Sequence, residues 1–84
     1  MSTLDETFET AKQKVMALPS KPSNDILLEL YSLNKQATLG DSGDEKPAMF
    51  DFVAMAKYNA WAEKKGMSIE AAKQRYIDLV GSLV

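Results

Sequence analysis

Helix-breaking residues divide this chain of 84 residues into four segments. Pro19 and Pro22 interrupt its first third, residues 40–50 contain two glycines and a proline, and Gly66 follows two lysines. Proline cannot continue a helix interior, and glycine commonly follows a helix end. Between these breaks apolar residues recur every three or four positions, without the alternation of a strand. The sequence therefore predicts a single all-α domain, a four-helix bundle, over residues 1–84.

Three of the four predicted helices have a capping residue whose side chain accepts hydrogen bonds from free backbone amides: Thr3 for the first, Ser23 or Asn24 for the second and Ser68 for the fourth. Thr3 and Glu6 match a capping box at the first of these starts. The predicted bounds are about 4–18, 24–39, 51–65 and 69–83. Most loops in an up-and-down bundle are short, but residues 40–50 are long enough to cross the domain. This length permits the second and third helices to run parallel.

Several classes of function are excluded by composition. The chain has no histidine and no cysteine, so disulfides, the usual nucleophile–base pairs and most transition-metal sites are not available. A net charge of −2 is not typical of a nucleic-acid-binding domain. No apolar run approaches the roughly 18 to 20 residues that a membrane span needs. We expect a soluble, cytoplasmic protein with no metal site, no nucleic-acid partner and no stable membrane insertion.

The second predicted helix has two distinct faces. At about 100° per residue, four apolar residues share a narrow arc and are expected to face the core: Ile26, Leu30, Leu33 and Ala37. Leu28, Tyr31 and Lys35 lie on nearly the opposite side, with Asn24 beside them. A leucine, a phenol and a lysine in this order suit one wall of a ligand site. From the pattern alone the favoured interpretation is burial against a neighbouring helix, with Lys35 extending to water.

The third predicted helix carries a similar side, formed by Val53, Lys57, Ala60, Trp61 and Lys64. Two lysines beside a tryptophan are able to receive a phosphate next to an aromatic ring. The alternative is a core-facing tryptophan with two solvated lysines, which the pattern by itself favours.

Five stretches of the sequence are distinctive: YSxxKQATxGD at residues 31–41, KP at 46–47, MFDF at 49–52, AKYNAWAEKKGMS at 56–68 and AKQRYIDLV at 72–80. Taken together they resemble the acyl-CoA-binding protein family. These stretches span nearly the whole chain in order. The resemblance implies a four-helix bundle of up-down-down-up topology, which the long connection allows.

The resemblance also implies a function, the binding of medium- to long-chain fatty acyl-CoA thioesters by a carrier and pool former without catalysis or a cofactor. In the family, residues that match Tyr31, Lys35, Lys57 and Tyr76 hold the nucleotide end, with the lysines near the 3′-phosphate. Apolar faces of the helices cover the acyl chain. The predicted ligand-binding set is completed by three further residues of the second helix: Leu28, Ser32 and Asn34.

Some positions depart from the family pattern. Asn34 stands where an aromatic ring usually lies beside the adenine, and three often basic positions hold apolar residues: Met16, Val53 and Met55. These departures predict weaker or more salt-sensitive headgroup binding, with Lys12 or Lys21 as candidates to compensate.

Two other functions remain open on the sequence. A helical protein-interaction module that keeps the fold but has lost the ligand is favoured by the missing aromatic and basic residues. A thioesterase is disfavoured because histidine and cysteine are absent. No spare apolar face is evident, so we expect a monomer that makes transient contacts with acyl-CoA-using enzymes.

Overall fold

Four α-helices contain most of the residues that the structure, a computed structural model, describes, namely 3–43 and 46–84. Their bounds are α1 (Leu4–Met16), α2 (Asn24–Leu39), α3 (Phe52–Ala62) and α4 (Ile69–Leu83). The predicted all-α class is confirmed, and no strand occurs within these two ranges.

A side-chain cap starts every helix. The Thr3 hydroxyl accepts from the Glu6 amide while the Glu6 side chain accepts from the Thr3 amide, which confirms the predicted capping box. The other three caps each accept from the amide three residues later, and they are Ser23, Asp51 and Ser68. These bonds satisfy amides that have no partner within the helix.

Two helices end earlier than the sequence predicts. α1 ends at Met16 rather than at residue 18, and α3 ends at Ala62 rather than at residue 65. Beyond Ala62 the backbone continues in tighter turns, in which the amides of Lys64 and Met67 bond to carbonyls three residues back. Gly66 closes this stretch with a φ of 91°, a left-handed conformation that glycine adopts readily.

α1 and α4 lie side by side and run in the same direction. Asp5 and Phe8 of α1 meet Lys73 and Tyr76 of α4, so the contacts advance by three residues on both helices. The first pair is an ion pair of 2.5 Å, and the two rings meet edge to face with centroids 5.1 Å apart.

The other helices complete an up-down-down-up order. α2 runs against α4, because Gln36 near the end of α2 bonds to the Met67 carbonyl just before α4 begins. α2 and α3 run in the same direction, since their first turns line one cleft and Trp61 near the end of α3 bonds to Gly40 after α2. Among the described residues, α1 packs on α4, α4 on α2, and α2 on α3. The topology implied by the family resemblance is therefore confirmed.

The core lies between α1, α2 and α4. Its buried apolar side chains are Phe8, Ala11, Leu30, Leu33, Ala37, Ala72, Tyr76 and Val80. The predicted core face of α2 is confirmed, with Ile26 packed partly buried against the cluster. α3 contributes no buried residue. Full burial of a side chain such as Leu33 contributes about 1.5–3 kcal/mol.

Asp41 joins the end of α2 to the start of α4. Its Oδ1 accepts from the Gln36 side-chain amide and from the Gly66 backbone amide, each at 2.8 Å. The same Gln36 nitrogen donates to the Met67 carbonyl at 2.8 Å. The Gly66 amide and then the Gln36 side chain hold the pKa of Asp41 below its ordinary value. This cluster fixes α2 in its position relative to the rest of the domain.

Within the described residues, none of the helices is both long and apolar enough to cross a membrane.

Candidate functional site

A cleft of about 630 Å³ opens between the first turns of α2 and α3. Its size lies within the range of small-molecule sites in proteins. The residues that line it are Lys21, Asn24, Leu27, Leu28, Tyr31, Phe52, Val53, Ala56 and Lys57. Apolar side chains form most of this wall, and two lysines, Lys21 and Lys57, also belong to it.

Tyr31 lies between two lysines that come from different helices. The Lys57 ammonium of α3 is 5.3 Å from the centroid of the Tyr31 ring. The Lys35 ammonium, one turn further along α2, is 5.7 Å from the same centroid. Both distances fall within the range of cation–π attraction. The structure thus brings together three of the predicted site residues.

The cleft is a local concentration of positive charge in a chain whose net charge is −2. Its described lining contains two lysines and no acidic side chain. Within residues 3–43 and 46–84, Lys21, Lys35 and Lys57 form no ion pair, whereas Lys12, Lys64 and Lys73 each pair with a carboxylate. The charges of Lys12, Lys64 and Lys73 are thus offset by a carboxylate, whereas no described carboxylate offsets those of the other three lysines. The cleft is therefore suited to an anionic group beside apolar surface.

Of the four remaining predicted site residues, three belong to α2, and each has different surroundings. Leu28 lines the cleft as expected. Ser32 is fully buried, and its hydroxyl donates to the Glu29 carbonyl at 2.8 Å. Asn34 is half-buried, and its Oδ1 has no partner among the described residues. Neither of these two polar residues lines the cleft.

Tyr76 lies in the core rather than beside Tyr31. It is 5 % exposed and packs edge-on against Phe8. Burial raises the pKa of its hydroxyl above the ordinary value, because the charged phenolate loses hydration. Among the described residues, no ring contact or hydrogen bond joins it to the two site lysines.

Trp61 connects the site to the end of α2. Its indole Nε1 donates to the Gly40 carbonyl at 2.9 Å, and its ring centroid is 5.9 Å from the Lys35 ammonium. Lys35 therefore lies between the rings of Trp61 and Tyr31. The sequence left two interpretations of Trp61, a ring facing the core and a ring beside a phosphate site. The ring is half-buried, which agrees with neither interpretation taken alone.

A second, smaller cleft of about 290 Å³ lies on the other side of the α2–α3 contact. Lys64 and Glu29 form an ion pair across it. The hydrogen bond from Lys64 is the main reason that the pKa of Glu29 lies below its ordinary value. The ammonium of Lys64 is thus engaged by a carboxylate, whereas Lys21 and Lys57 of the first cleft form no ion pair within residues 3–43 and 46–84.

Three residues of the cleft were not anticipated from the sequence, namely Leu27, Phe52 and Ala56. Leu27 lies only about 40° from Tyr31 around α2 at 100° per residue, so a wider helical arc would have included it. Phe52 and Ala56 depend on how α3 rests against α2, and no local pattern specifies that contact.

In the part of the chain that the structure describes, no group of three or more acidic, histidine or cysteine side chains is arranged to hold a metal ion.

Comparison with known proteins identifies the family. Residues 5–80 match the family model described as Acyl CoA binding protein. The acyl-CoA-binding protein of Saccharomyces cerevisiae is 47% identical over 81 residues, which cover 96% of this chain and 93% of that protein. The crystal structure of acyl-CoA-binding protein 2 of Oryza sativa superposes with a TM-score of 0.91 at 38% identity, over 96% of this chain and 90% of that one.

The chain belongs to the acyl-CoA-binding protein family. This membership supports binding of acyl-CoA at the level of the family. One relative is larger and has an enzyme's name: the chain is 43% identical over 83 residues to enoyl-CoA delta isomerase 2 of Rattus norvegicus, and the match covers 21% of that protein.

Proposed function

We propose that this protein binds medium- to long-chain fatty acyl-CoA thioesters as a cytoplasmic, monomeric carrier and pool former, without catalysing a reaction. The observation that carries the proposal is the cleft in which two lysines, neither of them in an ion pair with a described residue, flank Tyr31 beside an apolar wall. A CoA thioester combines the same two chemistries, because it carries phosphates at one end and an alkyl chain at the other.

The two lysines beside Tyr31 take the 3′-phosphate of CoA in this proposal. An ammonium is a compact charge that attracts phosphate without requiring a bidentate geometry. Lys35 and Lys57 approach the Tyr31 ring from separate helices, so one phosphate near that ring is able to engage both. The ring and hydroxyl of Tyr31 then contact the nucleotide. Tyr76 of α4 supports the nucleotide end from its position in the core.

Lys21 compensates for basic residues that the chain lacks at the headgroup end. Val53 stands at one of the often basic positions, and both Val53 and Lys21 line the cleft. Lys12, the other candidate, is paired with Glu9 at 2.7 Å and lies over the Phe8 ring. Lys21 is therefore the better substitute.

Apolar contacts with the acyl chain make the affinity depend on chain length. Leu27, Leu28 and Val53 present apolar surface inside the cleft. Each methylene that is removed from water contributes about 0.8 kcal/mol. Palmitoyl-CoA should therefore bind more tightly than short-chain thioesters, palmitate or free CoA.

Isothermal titration calorimetry at low and high salt tests this proposal. Lys35→Ala and Lys57→Ala should each weaken palmitoyl-CoA binding by about tenfold, the loss of one charge-assisted contact. Higher salt should weaken wild-type binding because it screens the exposed lysines. Lys14→Ala removes an exposed lysine of α1 that does not line the cleft, and it should bind as the wild type does. Unchanged affinity in both site variants would refute the assigned roles.

A further inference from the structure

The polar contacts that attach α3 to the rest of the domain lie toward one end of the helix. Within the described residues, three side chains from the second half of α3 and the turns after it bond to other segments, and they are Tyr58, Trp61 and Lys64. In the same part of the chain, no hydrogen bond or ion pair joins residues 52–57 to another helix. The polar attachments of α3 are therefore remote from its first turns, which form one wall of the cleft.

Deep apolar packing does not fix the first turns of α3 either. Phe52 is 80% exposed and Val53 is 68% exposed, although both line the cleft. The sequence pattern indicated no spare apolar face, and these two exposed side chains correct that expectation. Because α3 also has no buried residue, the polar contacts further along the helix have a large share in setting the position of the cleft wall.

One of these contacts, the ion pair between Glu29 and Lys64, is partly withdrawn from water. The two side chains meet across the second cleft, and that of Lys64 is only 11% exposed. The hydroxyl of Ser32, which is fully buried, lies 3.3 Å from the Glu29 carboxylate. An ion pair attracts more strongly when it is shielded from water and hydrogen-bonded to a third group.

The second cleft depends on the positive charge of Lys64. Its described lining contains carboxylates from both sides, namely Asp25 and Glu29 of α2 and Glu63 at the end of α3, with Lys64 as the lysine among them. Like charges on two neighbouring segments repel, whereas a cation between them attracts both. Arg75 of α4 adds a weaker attraction to Glu29. Lys64 therefore secures the end of α3 against α2.

The same helix carries Lys57 to the ring of Tyr31. Trp61 lies one helical turn beyond Lys57, so the attached end of α3 is close to the site. Leu28 and Ala56 line both clefts, which shows that the two clefts meet where α3 rests on α2. A helix transmits displacement along its length because it is a rigid element. A change in the tilt of α3 at the second cleft therefore also moves the wall of the first.

We propose that the ion pair between Glu29 and Lys64 positions α3 for ligand binding, so that acyl-CoA affinity depends on a contact outside the ligand cleft. This inference rests on the proposed function and deepens it. Glu29 and Lys64 are positioning residues that keep Lys57 at the ring of Tyr31. When the ion pair is broken, α3 adopts further orientations, and the apparent affinity falls in proportion to the fraction that remains positioned.

Isothermal titration calorimetry with palmitoyl-CoA tests the positioning role. Lys64→Met keeps an unbranched apolar stem but removes the charge, and it should lower the affinity about three- to tenfold, which corresponds to a positioned fraction between about a third and a tenth. Glu29→Gln should act in the same direction but less strongly, because the side-chain amide oxygen is still able to accept from Lys64. Circular dichroism melts verify that both variants are folded.

Double variants distinguish a functional pair from two independent residues. Glu29→Gln together with Lys64→Met should bind no more weakly than Lys64→Met alone, since the second change removes a carboxylate that has already lost its partner. Glu29→Lys together with Lys64→Glu exchanges the charges and should bind more tightly than Glu29→Lys alone. Losses that multiply in the first double variant, together with no recovery in the second, would overturn the inference.

Asp5→Asn is the matched control. Asp5 and Lys73 form an ion pair between α1 and α4, and neither of these helices contributes to the described lining of the cleft. This variant should keep the affinity for palmitoyl-CoA within about twofold of the wild type, because distant sites act independently. A loss as large as that of Lys64→Met would show that breaking any interhelical ion pair weakens binding, which would also overturn the inference.

Hydrogen exchange of the free protein tests the same positioning without a ligand. In Lys64→Met, the amides of residues 53–57 should exchange at least about threefold faster than in the wild type, while those of α1 should be unchanged. A wild type without affinity for palmitoyl-CoA would refute the proposed function, and the exchange rates alone would then decide whether the ion pair positions α3. If the wild type binds, unchanged affinity of Lys64→Met would overturn the inference and leave the proposed function intact.

Discussion

At the residue scale, two glycines offer a direct test of backbone conformation. Gly40 ends α2 with φ 78° and ψ −150°, whereas Gly81 lies within α4 at a negative φ. A Cβ at either position would meet no atom within 4 Å apart from its neighbours along the chain. Any difference between alanine substitutions at the two sites therefore comes from the backbone and not from steric contact.

Gly40→Ala should lower the free energy of unfolding by about 1–3 kcal/mol, because alanine at this φ and ψ is strained. Gly81→Ala should instead raise it by about 0.5–1 kcal/mol, since alanine favours a helix interior over glycine. Urea denaturation of both variants measures the two changes. Equal effects of the same sign would show that Gly40 does not need its positive φ.

At the scale of elements, Asp41 holds the residues just after α2 against the residues just before α4. The Gly66 amide and the Gln36 side chain donate to its carboxylate, and the pKa of Asp41 is lowered for that reason. A lowered folded-state pKa means that the charged form stabilises the fold. This stabilisation is present above the ordinary value of 3.8 and is lost as the pH falls through the lower folded-state pKa.

Asp41→Asn should therefore be less stable than the wild type at neutral pH, and the difference should shrink as the pH falls below 3.8. The amide cannot carry the charge that the two donors favour. Thermal denaturation of both proteins over the acid range gives the comparison. A stability gap of the same size at neutral and strongly acid pH would mean that the ionised carboxylate is not the cause.

In α2, the sequence predicted the buried apolar residues but not the buried polar one. Leu30, Leu33 and Ala37 were placed in the core correctly, because helical spacing alone brings them to one side. The burial of Gln36 was not foreseen. Its side chain is buried because it meets the Met67 carbonyl, 31 residues further along the chain. Such a partner is set by tertiary structure, and a polar residue gives no local signal of it.

The end of α3 and its contact with α2 also depend on tertiary structure, so the sequence did not predict them correctly. Two lysines before Gly66 predicted a helix to residue 65, but the helix ends at Ala62. Gly66 donates its amide to Asp41 from a distant segment, and Lys64 pairs with Glu29 of α2. These two contacts hold the residues just after Ala62 in positions that a regular continuation of α3 would not give them. The cleft forms where α3 packs against α2, so the sequence also did not predict that Phe52 lines it.

At the scale of the whole molecule, α3 is the least anchored helix. It packs on α2 alone and has no buried residue. α1 also packs on a single helix, but it buries Phe8 and Ala11. Elements with few buried apolar contacts open locally at a lower free energy than the rest of the fold. α3, which forms one wall of the candidate site, is therefore the helix that detaches from the rest of the domain at the lowest free energy.

Backbone amides of α3 should exchange with solvent deuterium faster than those of α2 and α4, with α1 intermediate, because the free energy of local opening follows buried apolar contact. Palmitoyl-CoA should slow exchange in α3 more than in α1, since the proposed ligand contacts Lys57. Hydrogen exchange followed by mass spectrometry resolves the four helices. Equal protection of α3 and α2 in the free protein would contradict the prediction.

The position of Trp61 has a practical consequence. It is the only tryptophan of the chain, and its half-buried ring lies 5.9 Å from the Lys35 ammonium. Indole emission responds to nearby charge, so a bound phosphate that neutralises Lys35 would change the fluorescence of the unmodified protein. The fold thus supplies an intrinsic optical reporter of its own candidate site. Occupancy can be followed in real time without a dye or a labelled ligand.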